Sequence, residues 1–459
     1  MPELPEVETV KRLLEKVLTG KTIKEVIVRY RPIVSSDIHF EQHVNNQKIQ
    51  GFDRKGKYLV FLLSDMSLVS HLRMEGKYEY RPSHDHFTKH EHVIFRLDDG
   101  HDLVYQDTRK FGRFEIKDRH DYLNVLPLSN VANEPFYMEL DTFYAKLKKK
   151  SITIKDALLD QHIIAGIGNI YANEILFRSC IHPGTKASFI TYEKAKSILS
   201  SSIAVLNKAI EEGGTTIDTF EVAPGIHGRF QNYLHVHGKK NEPCHICQTP
   251  IIKYQLSGRG TYFCPVCQPA YIIGLTGGIA TGKTTVAAYL KEKGYLVIDN
   301  DKIVHDLYQV PEHIKAITTM FDLPQTNQID KKALAAVIFK NEAVRKQLTD
   351  YIHPLVLKQI EDIKKQSSNP VIFIDMPLLF EIGYQNKVDL TMTVVTSQEK
   401  QVQRLMQRSH LTKAEALLRI KAQMPLEQKE DLSDIVLNNE QTKETLYEQI
   451  DAILKERCL

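Results

Sequence analysis

Hydrophobic residues in the first third of the chain change from helical to strand-like spacing. Apolar side chains recur every three or four positions in residues 4–18, and Gly20 follows them, which predicts one helix. Apolar runs separated by Gly, Asp and Ser then predict strands at Ile23–Tyr30, Lys57–Leu63, Ser67–Leu72, Val93–Leu97, Leu103–Tyr105 and Arg113–Ile116. Many short strands joined by turns predict an antiparallel β-sandwich.

Helical spacing returns in the middle of the chain. Apolar periodicity predicts helices in residues 141–148, 154–160, 168–178 and 191–211, and the pair Gly213-Gly214 would end the last one. Residues 214–240 are rich in Gly, Thr and Pro and are expected to form a loop, and residues 241–268 contain four cysteines.

The hydrophobic pattern changes again at residue 271. The run YIIGLTG predicts a buried strand that leads into a glycine-rich loop and a helix. Strands predicted at 295–299, 371–375 and 389–396 alternate with long helical stretches, which predicts a parallel, doubly wound α/β sheet. These patterns divide the chain into domains at 1–132, 133–240, 241–268 and 271–459, with only Pro269-Ala270 before the last one.

Composition excludes several classes of protein. A length of 459 residues allows about three domains, and 42% hydrophobic with 25% charged residues is typical of a globular protein. No apolar run approaches the roughly 18 residues of a membrane helix, and the sequence MPELPEVETV has acids where a signal peptide is basic. Six cysteines are too few for a disulfide framework in so long a chain. We therefore expect a cytoplasmic protein with no membrane partner.

Net charge gives little indication of a partner. The formal charge of +3 combines 36 basic and 32 acidic residues in 1–270 with 24 basic and 25 acidic residues in the remainder. An excess of this size does not by itself indicate nucleic-acid binding. Any such interpretation must depend on where the cations lie.

Four cysteines have the spacing of a structural zinc site. Cys244-x2-Cys247 is followed after 16 residues by Cys264-x2-Cys267, and four thiolates leave a tetrahedral zinc no open position. The alternative is two disulfides or four unused thiols. The intervening segment predicts a hairpin with Arg259 near its turn, where it is either a phosphate contact or simply solvated.

The start of the chain has the residue types of a nucleophilic site. Removal of Met1 would leave Pro2 as a secondary amine, and an α-amino group with a pKa of about 8 is partly unprotonated near neutrality. Glu3 and Glu6 could supply acid–base function. The alternative is an ordinary first turn of a helix, where Pro and Glu are favoured.

An arginine and an apolar side chain lie two positions apart in the loop Asp107–Gly112. Arg109 and Phe111 could fill the space left by a base extruded from a duplex, and Met74 could be a second wedge. The alternative for the apolar side chains is packing in the core.

These segments together resemble formamidopyrimidine-DNA glycosylase. The matching motifs are MPELPEVETV, RKGKYL (54–59), HLRMEG (71–76), DTRKFG (107–112), GIGNIYANEILF (166–177), GGTT (213–216) and the four-cysteine finger, in order over residues 1–268. The resemblance implies a sandwich domain, a helix-two-turn-helix domain and a zinc finger that bind damaged duplex DNA. It also implies that Pro2 attacks C1′ of an oxidised purine nucleotide such as 8-oxoguanine or formamidopyrimidine, with Glu3 protonating the sugar before β,δ-elimination.

The same resemblance assigns DNA contacts. It implies a phosphate clamp of Lys57, Asn169 and Arg259, and catalytic roles for Lys57 and Arg259 beside Pro2 and Glu3. The residues that would contact DNA or replace the everted base are His71, Met74, Arg109 and Phe111. The stretch 217–229 matches the loop over the lesion, and Leu4 favours the purine-lesion branch over the endonuclease VIII type. We expect this part to act as a monomer.

A second motif binds nucleotide phosphates. The loop fits G-x4-GK[ST] between a predicted strand and helix, the context in which backbone N–H groups cradle phosphates. Its residues are Gly277, Gly278, Ile279, Ala280, Thr281, Gly282, Lys283, Thr284 and Thr285. Lys283 would neutralise the β- and γ-phosphates of ATP, and the Thr284 hydroxyl would hold Mg²⁺.

The acceptor is indicated by a second resemblance. Six segments of this part of the chain resemble dephospho-coenzyme A kinase. They are GLTGGIATGKTTV, IDNDKIVHDL (298–307), IDKKALAAVIF (329–339), YIHPLV (351–356), IDMPLLFE (374–381) and QRLMQRSHLTKAEALLRIKAQ (403–423). This implies transfer of the ATP γ-phosphoryl to the 3′-hydroxyl of dephospho-coenzyme A. Asp301 would be the base, with Asp299 beside it, and Arg404, Arg408 and Arg419 would form a lid. Residues 308–328 lack the glycine-containing turn usual in that family, which affects the expected acceptor contacts.

We therefore predict two enzymes in one chain, a glycosylase/lyase for oxidised purines and a kinase of coenzyme A synthesis. One alternative is a DNA-binding module that no longer cuts DNA, joined to an active kinase. The other is a repair ATPase in which the P-loop domain acts as a motor on DNA; the acidic pair and the arginines suit a small-molecule kinase better.

Overall fold

The computed structural model describes residues 2–34, 37–215, 228–324, 328–330, 333–334, 337 and 342–456. Its contacts divide the chain into two compact units, Met1–Gln268 and Pro269–Leu459. In the part of the chain that is described, no helix combines the length and the apolar character needed to cross a bilayer.

The first unit begins with a helix and two four-stranded antiparallel sheets. The elements are α1 (Leu4–Leu18), β1 (Ile23–Val28), α2 (Phe40–Val44), β2 (Ile49–Lys55), β3 (Tyr58–Leu63), β4 (Met66–His71), β5 (Lys77–Pro82), β6 (Glu91–Leu97), β7 (His101–Gln106) and β8 (Arg113–Asp118). The sheets have the strand orders β1-β6-β7-β5 and β2-β3-β4-β8. Side chains of both, including Phe61, Phe95 and Phe114, share one core, which confirms the predicted sandwich.

Two strands of the sandwich were not predicted from the sequence. Only Ile49 and Phe52 are buried in β2, and only Tyr78 is buried in β5. Strands with so few buried side chains lack the apolar alternation on which a sequence-based assignment depends. Backbone pairing with β3 and β7 holds them in the sheets instead.

Four helices follow, as the sequence predicted. They are α3 (Leu140–Lys148), α4 (Ile154–Leu159), α5 (Asn169–Arg178) and α6 (Tyr192–Glu211), and the hydroxyls of Thr153 and Thr191 cap α4 and α6. Leu4 is fully buried and belongs to the core of these helices rather than to the core of the sandwich. The beginning of the chain is therefore fixed in the helical region.

A small hairpin completes the first unit. Strands β9 (Ile252–Leu256) and β10 (Arg259–Phe263) pair antiparallel, with Leu256 opposite Arg259 at the turn. The buried Cys244 and Cys264 pack with Phe177 of α5, so this region has a small apolar core of its own.

The second unit is an α/β fold around a five-stranded parallel sheet. Its elements are β11 (Tyr271–Gly277), α7 (Lys283–Glu292), β12 (Leu296–Asp299), α8 (Asn300–Leu307), α9 (Pro311–Met320), α10 (Glu342–Gln366), β13 (Val371–Asp375), β14 (Leu390–Val395), α11 (Gln398–Ser409), α12 (Lys413–Lys421), α13 (Leu426–Asp431), β15 (Ile435–Asn438) and α14 (Lys443–Glu456). The strand order is β12-β13-β11-β14-β15, which confirms the predicted parallel sheet.

The carboxyl ends of the central strands define the site in this unit. Strand β11 ends in the glycine-rich loop, while β12 and β13 end at Asp299 and Asp375, which lie opposite each other in the sheet register. Ligands of open α/β sheets bind at this edge. The last strand, β15, is only four residues long and was not predicted.

Candidate functional sites

The Glu3 carboxylate is buried against the first turn of α5. Its side chain accepts hydrogen bonds from Gly168 N–H at 2.6 Å and from Ile170 N–H at 2.9 Å. Leu4 N–H donates to the carbonyl of Gly166, so backbone and side chain together tie the chain start to one loop. Pro2 is buried beside this carboxylate.

Burial dominates the protonation of Glu3. The residue is only 2% exposed, and desolvation raises the pKa of its carboxyl to about 7, against the lowering effects of Lys57 and the two N–H donors. The nearby Glu6 carboxylate raises this pKa further. Glu3 can therefore exchange a proton near neutral pH, which an ordinary glutamate cannot.

Lys57 reaches the same loop from the sandwich. Its ammonium group donates to the carbonyl of Ile167 at 2.9 Å. Burial lowers the pKa of Lys57, which the Glu3 carboxylate opposes and the Arg259 guanidinium reinforces. The structure thus brings together Glu3 and Lys57, which are far apart in sequence, and places Arg259 within electrostatic range.

Glu6 has a different environment from the one that the sequence suggested. One carboxylate oxygen accepts from Tyr171 O–H at 2.6 Å and from Thr215 N–H at 2.7 Å, and the other accepts from Glu3 N–H at 2.8 Å. With both oxygens engaged, the side chain connects α1, α5 and the residues after α6. Tyr171 on α5 is fully buried and was not assigned a role from the sequence, because only the fold brings it to Glu6.

Asn169 contacts the hairpin at Gly260, the residue next to Arg259. Asn169 donates to the carbonyl of Gly260 at 3.1 Å, and Lys155 donates to the same carbonyl at 3.1 Å and to the Thr261 hydroxyl at 2.8 Å. The Arg259 side chain is exposed beside these contacts. Burial lowers the pKa of Lys155 to about 8. Sequence reasoning missed Lys155 because a single lysine in a short helix usually faces solvent.

One carboxylate shapes the loop that carries Arg109 and Phe111. Asp107 is buried and accepts N–H hydrogen bonds from Arg109 at 2.9 Å and from Phe111 and Gly112 at 2.8 Å each. The Arg109 guanidinium lies 5.1 Å from the centre of the Phe111 ring, and Phe111 is 47% exposed. Phe111 and Met74 line one cavity, so the structure brings the two proposed wedges together.

His71 is held in its neutral form. Its Nδ1 accepts from Arg73 N–H at 2.9 Å, and its ring packs edge-on against Tyr58. Burial, with the charges of Arg73 and Lys57, lowers the pKa of His71 to about 3. Only its Nε2 is left to face a ligand.

The four cysteines form a site that fits zinc. All four Sγ atoms lie within 4.8 Å of one another. The Sγ–Sγ distance is 3.8 Å between Cys244 and Cys267, 3.6 Å between Cys247 and Cys267, and 3.4 Å between Cys247 and Cys264. Tetrahedral zinc with Zn–S bonds of about 2.3 Å needs sulfurs about 3.8 Å apart. Among the described residues, this is the one group with the composition and spacing of a metal site.

In the second unit, the glycine-rich loop lines a cavity of about 840 Å³. Lys283 begins α7, and its ammonium group forms an ion pair with Asp375 at the end of β13. Burial raises the pKa of Asp375, as do the charges of Asp299 and Asp301, while Lys283 opposes them. The loop residues 277–285 predicted to bind nucleotide all border this cavity.

The cavity gathers most of the other residues predicted for this site. Asp301, Arg404 and Arg408 line it, whereas Arg419 lies exposed on α12 outside it. Arg404 donates to the carbonyls of Ala280 and Thr281, both at 3.3 Å. Asp299 instead caps α8 by accepting from Lys302 N–H. Asp375 received no role from sequence, although a carboxylate that ends a buried parallel strand is a usable signal.

Some predicted features lie outside the described residues. The stretch 217–229 is described only at residues 228 and 229, and 308–328 lacks residues 325–327. The motif at 329–339 is likewise described only in part.

Comparison with known proteins accounts for both units. Family models match the formamidopyrimidine-DNA glycosylase N-terminal domain at residues 1–114, its H2TH domain at 131–221, the zinc finger found in FPG and IleRS at 241–270, and dephospho-CoA kinase at 271–444. The formamidopyrimidine-DNA glycosylase of Bacillus cereus is 43% identical over 275 residues, covering 59% of this chain and 99% of that protein. The chain belongs to the formamidopyrimidine-DNA glycosylase family.

Further relatives agree with this membership. The formamidopyrimidine-DNA glycosylase of Enterococcus faecalis is 45% identical over 274 residues, covering 58% of this chain and 97% of that protein. A Lactococcus lactis FPG mutant in complex with a Fapy-dG containing DNA, and Lactococcus lactis Fpg with an abasic site containing DNA, each have 39% identity and a TM-score of 0.56. Both matches cover 58% of this chain. They cover 100% of the chain in the Fapy-dG complex and 99% of the chain in the abasic-site complex. This family member therefore also carries a dephospho-CoA kinase domain, and is a bifunctional enzyme.

We expect the intact protein to contain one zinc per chain, because four thiolates at these separations complete a tetrahedral site. Cys264→Ser should lower the zinc content well below one, measured by atomic emission after exhaustive dialysis. Cys180→Ser is the matched control, since Cys180 is an exposed cysteine outside the cluster, and it should keep one zinc. A zinc content that is unchanged in Cys264→Ser would contradict the site.

Proposed function

We propose that the first unit is a DNA glycosylase and AP lyase that excises oxidised purines, such as 8-oxoguanine and formamidopyrimidines, from duplex DNA. The observation that carries this proposal is the buried Glu3 carboxyl beside Pro2, with Lys57 reaching the same loop. The solved Lactococcus lactis relatives contain DNA with Fapy-dG or an abasic site, which supports this class of substrate.

In the proposed reaction, removal of Met1 exposes the secondary amine of Pro2. Its nitrogen forms a bond to C1′ of the damaged nucleotide as the bond from C1′ to the base breaks. Glu3 in its protonated form donates to the ring oxygen, so the sugar opens and an iminium remains on Pro2. Loss of a C2′ proton then expels the 3′ phosphate, and a second elimination expels the 5′ phosphate.

The residues around this centre would position the duplex. Lys57, Asn169 and Arg259 supply donors for phosphates on either side of the lesion, and such contacts fix the register of the duplex without reading its sequence. His71, neutral and adjacent to Lys57, would donate through Nε2 only. Met74 and Phe111 would occupy the space of the everted base, with Arg109 bonding to the unpaired cytosine.

The zinc would act on geometry. Four cysteine thiolates would hold it, and with four protein ligands it has no open position for a substrate. By joining the two cysteine pairs it would supply a crosslink that holds the hairpin beside α5. The hydrogen bonds from Asn169 and Lys155 to Gly260 then place Arg259.

We propose that the second unit transfers the γ-phosphoryl group of ATP to the 3′-hydroxyl of dephospho-coenzyme A. The observation that carries this proposal is Lys283, paired with Asp375, in a cavity that Asp301, Arg404 and Arg408 also line. Asp301 would accept the proton of the 3′-hydroxyl while its oxygen attacks the γ-phosphorus and ADP leaves.

The remaining residues would stabilise the transferring group. Mg²⁺, which the Thr284 hydroxyl would hold, neutralises charge on the phosphates when bound with ATP. Arg404 and Arg408 border the cavity on α11, and Arg419 on α12 would join them if that helix closes over the phosphates. Each unit has a complete set of motifs, so we propose that the two activities are independent.

The acid role of Glu3 predicts a pH dependence. With a carboxyl pKa of about 7, the fraction of Glu3 that can donate a proton falls as the pH rises through this value. The same reaction needs Pro2 unprotonated, and an α-amino group has a pKa of about 8. Excision of 8-oxoguanine should therefore be fastest between about pH 7 and pH 8 and slow above that range, and Glu3→Gln should lower the rate at least about a hundredfold and remove the falling limb of the profile. Single-turnover excision from a duplex oligonucleotide measures both effects.

Glu15→Gln is the control for this experiment. Glu15 lies near the other end of the same helix and is 44% exposed at its side chain, so this variant should keep the rate and the pH profile of the wild type. A falling limb that persists in Glu3→Gln would exclude Glu3 as its source.

Independence of the two units predicts the effect of a lysine substitution. Lys283→Ala should lower phosphorylation of dephospho-coenzyme A at least about a hundredfold, because a cation on the transferring phosphate is lost. Nicking of damaged DNA by the same preparation should stay within about twofold, below the effect of a single lost hydrogen bond. Lys291→Ala, an exposed position on the same helix, is the control and should change neither activity.

Three outcomes would contradict parts of this account. Large loss of both activities in Lys283→Ala would overturn independence. Full kinase activity would overturn the role of Lys283. ATP hydrolysis stimulated by DNA, without phosphorylation of dephospho-coenzyme A by the wild type, would favour a DNA motor instead.

A further inference from the structure

Two glutamine side chains hold one residue of the phosphate-binding loop. Gln423, which follows α12, accepts a hydrogen bond from Ile279 N–H at 2.8 Å. Gln401 on α11 donates to the carbonyl of Ile279, also at 2.8 Å. The peptide groups on both sides of Ile279 are therefore fixed by side chains more than 100 positions away in sequence.

The next residue shows why the loop needs support at this point. Ala280 has a φ of 62°, in the left-handed region that residues other than glycine rarely adopt. Such a conformation persists only where the surroundings determine it. It also has a use, because alternating right- and left-handed residues turn successive N–H groups toward one anion. The orientation of the Ile279 peptide groups thus sets where the following N–H groups point.

The same two helices pack on the loop with apolar side chains. Ile279 and Ala280 contact a buried cluster of Val402, Leu405 and Ala416, from α11 and α12. Gln401 is itself buried. A Cβ atom at Gly278 would come within 2.8 Å of the Gln401 amide nitrogen, so the glycine at 278 leaves the space that the Gln401 side chain fills. The loop is therefore joined to α11, which carries Arg404 and Arg408, and to α12.

We propose that Gln401 and Gln423 are positioning residues for the phosphate cradle. By holding Ile279 from both sides, they orient the N–H groups of residues 280–283 toward the phosphates of a nucleoside di- or triphosphate. They act through the loop and not on the acceptor. The link to phosphoryl transfer rests on the kinase function proposed above, whereas the effect on nucleotide binding does not.

A purely structural role for these glutamines predicts a different outcome. Loss of a packing contact would lower the unfolding temperature and affect all ligands of the unit. Loss of a positioning contact would weaken nucleotide binding and raise the KM for ATP, and would leave the KM for dephospho-coenzyme A unchanged. The two roles can therefore be separated by measuring both ligands on one preparation.

Gln423→Met keeps the length of the side chain and removes the acceptor, and Gln401→Met removes the donor. Titration of the intact chain with a fluorescent ADP analogue should show at least about fivefold weaker binding for each variant, the size of one hydrogen bond. The double variant should lose less than the product of the single losses, because both side chains hold one residue. Gln428→Met, exposed on α13, is the control and should bind like the wild type.

ADP affinity within about twofold of the wild type in both single variants, with the fold intact, would overturn the proposal. The proposal would also be overturned if Gln401→Met and Gln423→Met changed ADP affinity no more than Gln428→Met does. Equal increases in the KM values for ATP and dephospho-coenzyme A would overturn it as well. If one variant does not fold, the other tests the same residue from the opposite side. A wild type that binds ADP but does not phosphorylate dephospho-coenzyme A would refute the acceptor and leave this inference standing.

Discussion

The Glu3 carboxylate, removed from water and held by two N–H groups at the start of α5, connects the parts of the first unit. Those donors lie 165 and 167 positions further along the chain. A side chain at Gly168 would come within 2.2 Å of the Glu3 carboxyl carbon, so this approach is possible only with glycine there. The position of Pro2 and the contact of Lys57 with Ile167 both depend on this loop.

The same interaction sets the chemistry of the site. Burying a carboxylate costs free energy of folding unless the group is hydrogen-bonded. Two N–H donors lower its pKa, but the pKa stays above the ordinary value when the effect of burial is larger. Glu3 illustrates this balance, since the donors and Lys57 reduce the shift without removing it. Glu6, three residues on, has its oxygens committed to Tyr171, Thr215 and the backbone of Glu3. Two glutamates one turn apart therefore have different environments: burial raises the carboxyl pKa of Glu3 to about 7, and hydrogen bonds of Glu6 fix the chain start.

Local sequence spacing predicted the features that local geometry creates. The two cysteine pairs, the glycine-rich loop and the long helices α5 and α6 each follow from neighbouring residues. Lys155 could not be assigned in this way, because its partner Gly260 is 105 positions away. For Asp375 the end of a buried strand was a local signal, but its partner Lys283 is 92 positions away. Strands β2 and β5 were missed for a related reason, since pairing with neighbouring strands and not their own burial keeps them in the sheets. The family resemblances supplied site residues that spacing alone left open.

Our main proposal for the first unit is that Pro2 is its nucleophile. Its most direct test is to incubate the intact protein with a duplex containing one 8-oxoguanine in the presence of borohydride, which reduces an iminium to a stable amine. Mass spectrometry of the digested adduct locates the linked residue. We expect a covalent protein–DNA adduct on Pro2, with Met1 absent. No adduct, or an adduct on Lys57 or another lysine, would contradict it.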